Sequence, residues 1–320
     1  MKNIQREIPI FFSVDDNYVP FLAVALNSAI KNASQKRLYR AIVLHQGLSE
    51  ENVTKIKALE KDNFKIDFVS MRDNFLALED RMEKWLRFDY STLTIYFRLF
   101  IPEMFLEYDK GIYIDSDVVL TTDIANLYDI DIKDNYIGAC HDMSISDYED
   151  IVTYTEEAVG VKRSEYINSG VLLMNMKKMR IDKFEEHFLD LLNTYHFDSI
   201  APDQDYINAM CNGKIYYLDP RWDAMPNDAR SPMESPFLVH YNLFSKPWCY
   251  SGVQYEDEFW KYAIDSGYYY ELLNKRDSYS EEEKESDKSC LKLLMERGLE
   301  IIANNVSFRK LHQRGVRIRL

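Results

Sequence analysis

The chain has 320 residues, 46% apolar and 14% aromatic, enough for one large domain or two small ones around a sizeable core. A formal net charge of −14 excludes a general nucleic-acid binder, which needs a basic surface to displace counterions from phosphate. Four dispersed cysteines, Cys140, Cys211, Cys249 and Cys290, form no C-x-x-C pair, which fits a reducing compartment and supplies no thiolate zinc site.

In chain order, the N-terminal stretch has too short an apolar run for a secretory signal, and nowhere are there 18 uninterrupted apolar residues for a membrane span, so a cytoplasmic location is expected. "IPIFFSV", residues 8–14, reads as a buried strand that stops at Asp15-Asp16-Asn17. "VPFLAVALNSAIKN" then has helical spacing, with Pro20 tolerated in the first turn. "YRAIVLH" is a second strand, Ser49 an N-cap for a helix from Glu50 to about Glu60, and "FKIDFVS" a third strand. This β-α-β-α-β order predicts a parallel, doubly wound sheet with helices on both faces. Residues 92–105 read as a largely buried helix leading into the strand-like stretch "GIYIDSDVVL", residues 111–120. From 276, "RDSYSEEEKESDKS" reads as a charged break, followed by an amphipathic helix through Leu291, Leu294, Leu299 and Ile302. A basic tail, 309–320, ends the chain.

Ligands of open α/β sheets sit at the carboxyl ends of the strands, so Asp15/Asn17 and Asp115/Asp117 are expected to face one crevice. Carboxylate oxygens suit a hard divalent ion such as Mn²⁺ or Mg²⁺, which can bridge the protein to a diphosphate. D-x-D alone is a weak signal: it recurs at Asp129/Asp131 and Asp203/Asp205, and a capped turn with solvated acids gives the same pattern. An unpaired carboxylate at an apolar strand end, however, is costly without a cation. His240, at the end of another apolar run, is a candidate third ligand; the alternative is a core histidine bonded to backbone. Lys246, before Pro247-Trp248, is placed to neutralise a phosphate or simply to be solvated.

In order along about three quarters of the chain, "FFSVDDNY", "YFRL", "GIYIDSDVVL", "YINSGVLLMNMKKMR", "PDQDYIN" and "HYNLFSKPW" resemble the motifs of family 8 of the retaining glycosyltransferases. That family includes bacterial lipooligosaccharide galactosyl- and glucosyltransferases and the glycogenins. The resemblance implies a GT-A nucleotide-diphospho-sugar transferase fold, a Rossmann-like, mostly parallel α/β sheet with flanking helices, over residues 1–275. It implies a retaining, UDP-sugar-dependent hexosyltransferase that moves glucose or galactose to a saccharide or lipid-linked glycan of the cell surface. Asp115, Asp117 and His240 would hold Mn²⁺, with Lys246 on the same diphosphate. Asp15, Asn17 and Ser116 match nucleotide-contacting positions, and Arg98 a donor-binding arginine. Asp142, Asn168 and Ser169 match the surroundings of the sugar, with Gly170 letting backbone approach. Asp203 and Gln204 match the pair nearest the anomeric carbon, where their plain alternative is an N-cap acid and a surface amide.

The sequence departs from the family at Leu243, where H-x-x-G-x-x-K-P-W usually has glycine; a catalytically impaired nucleotide-sugar binder is the corresponding alternative. Residues 276–320 lie outside the motifs. Within them, the interleaved basic and apolar residues of "FRKLHQRGVRIRL", 308–320, suit contact with anionic lipid, or else packing against the acidic body.

Overall fold

The structure, a computed structural model, describes residues 7–72 and 90–320. β1 (Ile8–Val14), β2 (Tyr39–His45), β3 (Phe64–Ser70), β4 (Gly111–Ile114), β6 (Ile137–Ala139), β7 (Val171–Met174) and β8 (Ile215–Tyr217) form a seven-stranded sheet in the order β3-β2-β1-β4-β7-β6-β8. β1 pairs in parallel with β2 and β4, and β2 with β3; β7 is antiparallel to both its neighbours. The doubly wound first half is therefore as expected.

Both faces of β1 are covered, which is why its sequence is almost continuously apolar rather than alternating. Ile8, Ile10, Phe12 and Val14 join one core with the helix Val19–Asn32, whereas Phe11 joins the other with Phe97, Phe100 and Ile101 of the helix Tyr90–Met104. Ser49 caps Glu50–Lys57 as expected, although the helix closes three residues earlier, at a turn before β3.

Two expectations change. "GIYIDSDVVL" is not one strand: β4 ends at Ile114, and Val118–Leu120 forms β5, which leaves the main sheet to pair antiparallel with β9 (Leu238–His240). The acid-rich tripeptide is the crossover between two sheets. Second, the charged stretch after 276 is not a break. Ser280 and Glu283 form a reciprocal capping box that opens a helix over Glu281–Ala303, and its charges pair one turn apart, as in Lys284 with Glu281. The basic tail follows the second of its two expected courses and packs on the body. Phe308, Leu311 and Ile318 are buried, Phe308 stacks on Phe197 at 3.9 Å, and the Leu320 amide donates to the Met210 carbonyl. Arg314, Arg317 and Arg319 remain exposed on that packed segment.

If the tail is part of the core, Phe308→Ala should lower unfolding free energy by about 3 kcal/mol. It should also make residues beyond 307 the first site of limited proteolysis; an unchanged denaturation midpoint would show the tail to be a dispensable appendage.

Candidate active site

The order β2-β1-β4 places the sheet's switch point between β1 and β4, where helix connections diverge and a crevice opens at the strand ends. Asp15 follows β1, Asp115 follows β4 and Asp142 lies three residues beyond β6. Because β7 runs antiparallel, the segment before it, Asn168-Ser169-Gly170, arrives at the same end. The Asp115 amide donates to the Gly170 carbonyl at 2.8 Å, extending the β4–β7 ladder by one bond. His240 comes from far along the chain: β9 pairs with β5 so that His240 lies opposite Val118, and the Tyr241 amide donates to the Asp117 carbonyl.

Ligand atoms of Asp115, Asp117 and His240 consequently converge within 4.8 Å of one another. His240 Nε2 is 3.4 Å from Asp117 Oδ1 and 3.8 Å from Asp115 Oδ2. Its Nδ1 is fixed by a bond of 3.0 Å to Oδ1 of Asp223, a buried carboxylate at the end of the turn Pro220–Asp223. Burial works against a charged imidazole, but the Asp223 and Asp117 carboxylates outweigh it and raise the His240 pKa well above its usual range. Burial also pushes the Asp223 carboxyl upward. For Asp117 burial acts in that direction too, yet Lys246, at 2.6 Å, holds its pKa far below the ordinary carboxylate range. Gly170 closes the cluster. A Cβ there would stand 2.3 Å from His240 Cε1 and 2.8 Å from Asp115 Oδ2, so no side chain fits.

The floor of the cleft is a second network. Arg98 is buried; its Nη2 donates to Asp115 Oδ1 at 2.9 Å, its Nη1 to the Ser169 carbonyl at 2.7 Å, and its Nε lies 3.1 Å from Asp203 Oδ2. Asp203 and Gln204 open the helix Pro202–Cys211, but they are buried and not the solvated cap the sequence also allowed. Burial raises the Asp203 pKa, with Arg98 opposing the shift. Gln204 accepts from the Ser169 amide at 2.9 Å and donates to Asp142 Oδ2 at 2.9 Å; Asn168 donates to the same oxygen at 3.1 Å.

These residues line one cavity of about 400 Å³. Asp15 and Ser116 line an adjoining one that shares Arg98, Asp115 and Asp117. Asn17 is not brought there. Asp15 accepts from the Asn17 and Tyr18 amides and folds them into a tight turn, leaving Asn17 exposed in a separate cavity beside Asn52 and Lys275. The other D-x-D pairs have structural partners: Asp129 pairs with Arg37, and Asp131 caps the Lys133 amide.

Sequence reasoning missed Asp223, Asp205 and Asn208. Asp223 carries no local signal, since its partner is distant in the chain. Asn208 did have one: at i+4 from Gln204 it shares a helix face, and it accepts from and donates to the Ile167 backbone, locking the helix to the Asn168–Gly170 segment. Asp205, its pKa raised to about 6 by burial, is bonded by Tyr154 and Tyr166, and Tyr166 in turn meets Gln204 Nε2 at 3.2 Å.

The sequence profile described as glycosyl transferase family 8 matches residues 9–252. The chain belongs to that family. A putative glycosyltransferase of Haemophilus influenzae is 30% identical to this family 8 chain over 220 residues, 68% of this chain and 64% of that protein, so just under two thirds of the relative's own length is matched. The lipopolysaccharide 1,2-glucosyltransferase of Escherichia coli is 24% identical over 82% of this chain and 79% of its own. The solved structure of galactosyltransferase LgtC with donor and acceptor sugar analogues has a TM-score of 0.64 and 26% identity, over 80% of this chain and 95% of that one. The fold is thus GT-A-like, as the sequence motifs implied.

The donor set fits a hard divalent ion. It combines carboxylate oxygens with one imidazole, and among the described residues Arg98 and Lys246 are the only permanent cations paired with Asp115, Asp117, Asp142, Asp203 or Asp223, so carboxylates outnumber those cations. Asp223 would act through His240, holding its ring so that Nε2 faces the other two ligands. Asp223→Asn should therefore weaken Mn²⁺ binding by about 10- to 100-fold in calorimetric titration while the fold survives. Unaltered affinity would remove Asp223 from this role.

Proposed function

We propose that the chain is a retaining hexosyltransferase that moves glucose or galactose from a UDP-sugar to a saccharide or lipid-linked glycan of the cell surface. The observation that carries the proposal is the convergence of Asp115, Asp117 and His240 beside Lys246, at one end of a cleft floored by Asp142, Asp203 and Gln204. Asp115, Asp117 and His240 would hold Mn²⁺. When bound, that ion supplies positive charge to a diphosphate leaving group.

Lys246 adds a second cation at the same end, and its ammonium is already oriented by Asp117 and the Tyr241 carbonyl. Asp15 and Ser116 line the adjoining cavity, which suits the nucleoside. Asp142, Asn168 and Gln204 form one connected set of hydrogen-bonding groups suited to sugar hydroxyls. Double displacement needs a free carboxylate beneath the anomeric carbon. Gln204 is an amide, and Asp203 already accepts from Ser169 Oγ at 2.9 Å and is paired with Arg98. Front-face substitution is therefore favoured: the acceptor oxygen bonds to the anomeric carbon on the face from which UDP departs, and its proton passes to the leaving phosphate oxygen. Asp142 and Asp203 orient the sugar and stabilise the positive charge that develops on it.

Slow donor hydrolysis needs no known acceptor, so UDP release from a panel of UDP-sugars is the direct test. One donor should release UDP only with Mn²⁺, and Asp115→Asn should reduce that rate by at least about 100-fold. Silence across the panel together with tight UDP binding would favour the impaired nucleotide-sugar binder to which Leu243 points.

No helix among the described residues is long and apolar enough to cross a membrane. The proposed site of action is the inner face of the membrane, with Arg314, Arg317 and Arg319 meeting anionic headgroups, each contributing about 1 kcal/mol. Replacing all three by Gln should release the protein from phosphatidylserine vesicles at 0.1 M salt, a change read by co-sedimentation; undiminished binding would dismiss the attachment.

A further inference from the structure

The cavity has an apolar stretch of partly exposed side chains beside polar ones such as Ser144 and Asn242, and the C-terminal helix builds part of that apolar stretch. Leu291 and Leu294, one turn apart on Glu281–Ala303, line the same cavity as the metal-ligand cluster. Both are half-buried, yet among the described residues neither belongs to the two apolar cores nor packs against them. The helix is held on either side of this pair. Upstream, Asp287 accepts from Tyr250 and Tyr279; downstream, Gly298 lies so close to Tyr154 that a Cβ would come within 3.2 Å of it, and Ile301 is buried. The two leucines between these anchors face the cleft.

The other parts of the lip are Ile145 and Ile200, both half-buried, and Leu243, which is 39% exposed. Leu243 holds φ +52°, in the left-handed region where a leucine is strained and a glycine is not. An apolar side chain is thus kept in that stretch against the local backbone preference. A sugar ring set between these side chains would lose water from its hydroxyls with little hydrogen bonding in return. A hydrocarbon chain would gain by leaving water.

We infer that the lip formed by Leu243, Leu291 and Leu294 is an acceptor subsite for an alkyl chain joined to the accepting saccharide. The inference rests on the transferase reading and narrows its acceptor class to glycans carrying a lipid chain close to the accepting sugar. The C-terminal helix is then part of the substrate site as well as of the packed body.

The test titrates the full chain, with UDP and Mn²⁺, against n-octyl and methyl glucosides and galactosides below their micellar concentrations, followed by saturation-transfer NMR. The octyl glycosides should bind at least about tenfold more tightly, with saturation strongest on the alkyl protons. In Leu291→Ser/Leu294→Ser that preference should vanish, and Leu243→Gly, which relieves backbone strain and so keeps the fold, should reduce it. Equal affinities in the wild type, or an octyl preference intact in the double variant, would overturn the subsite. So would a dimer that the double variant dissolves, since the lip would then be covered by a second copy. UDP release with the octyl glycosides present as acceptors separates the two readings: no release from any donor, with tight UDP binding and the octyl preference retained, defeats the transferase and leaves an alkyl-binding lip with no acceptor role.

Discussion

The site depends on one buried guanidinium. Arg98 reaches from the helix Tyr90–Met104 to the end of β4 through Asp115, to the segment before β7 through Ser169, and to the helix Pro202–Cys211 through Asp203. Its planar fork lies 4.3 Å from the Tyr113 ring centroid, and the Tyr113 hydroxyl donates to the same Asp115 oxygen at 2.7 Å. Removing such a cation leaves the buried Asp203 carboxylate without its partner, a loss of about 3–5 kcal/mol for a buried pair. Three chain segments distant in sequence are registered against one another by that constraint.

Around it the carboxylates divide into two groups by what satisfies them. Asp203 and Asp142 are held by hydrogen bonds within the floor and leave the middle of the cleft polar and ordered. Asp117 and Asp223 flank His240 at the other end, where Lys246 answers only one of the two acids and His240 bridges both. Low local dielectric strengthens such contacts and makes unmet charge expensive, so an arrangement of this kind is stable when its ligands bring cation and anion together. The cleft thus combines the carboxylate–histidine cluster, a connected set of hydrogen-bonding groups and several apolar side chains.

The helix Glu281–Ala303 joins periphery to site. Its first turns are solvated and held by capping and neighbouring charge pairs, whereas its later stripe, Gly298 and Ile301, is pressed into the body. The tail that follows contributes Phe308, Leu311 and Ile318 to the core that also contains Phe97 and Tyr206. The aromatic contacts of Phe308 with Phe197 and Tyr206 connect this terminal segment to the helix that carries Asp203 and Gln204.

Sequence alone determined the first half of the sheet, because each strand there is bounded by turn chemistry, the first helix carries Pro20 in its first turn and the second is capped by Ser49. It also determined the residue types of the site, since six motifs in order identify a family where D-x-D alone fits a capped turn as well. The capping box at Ser280 and Glu283 was equally legible but was outweighed by the density of charge around it. Other features were decided only by tertiary structure. That Asp115 and Asp117 bridge two sheets depends on β5 pairing with β9, and the role of Asp223 depends on the same long-range pairing bringing His240 within 3.0 Å of it. That Asn17 turns away depends on how the Asp15 side chain folds the next two amides. Leu291 and Leu294 show helical spacing that any core would satisfy; only the path of their helix across the cleft directs them to it. Local sequence encodes which bonds a segment needs, but the partner that supplies them is chosen by packing between segments far apart in the chain.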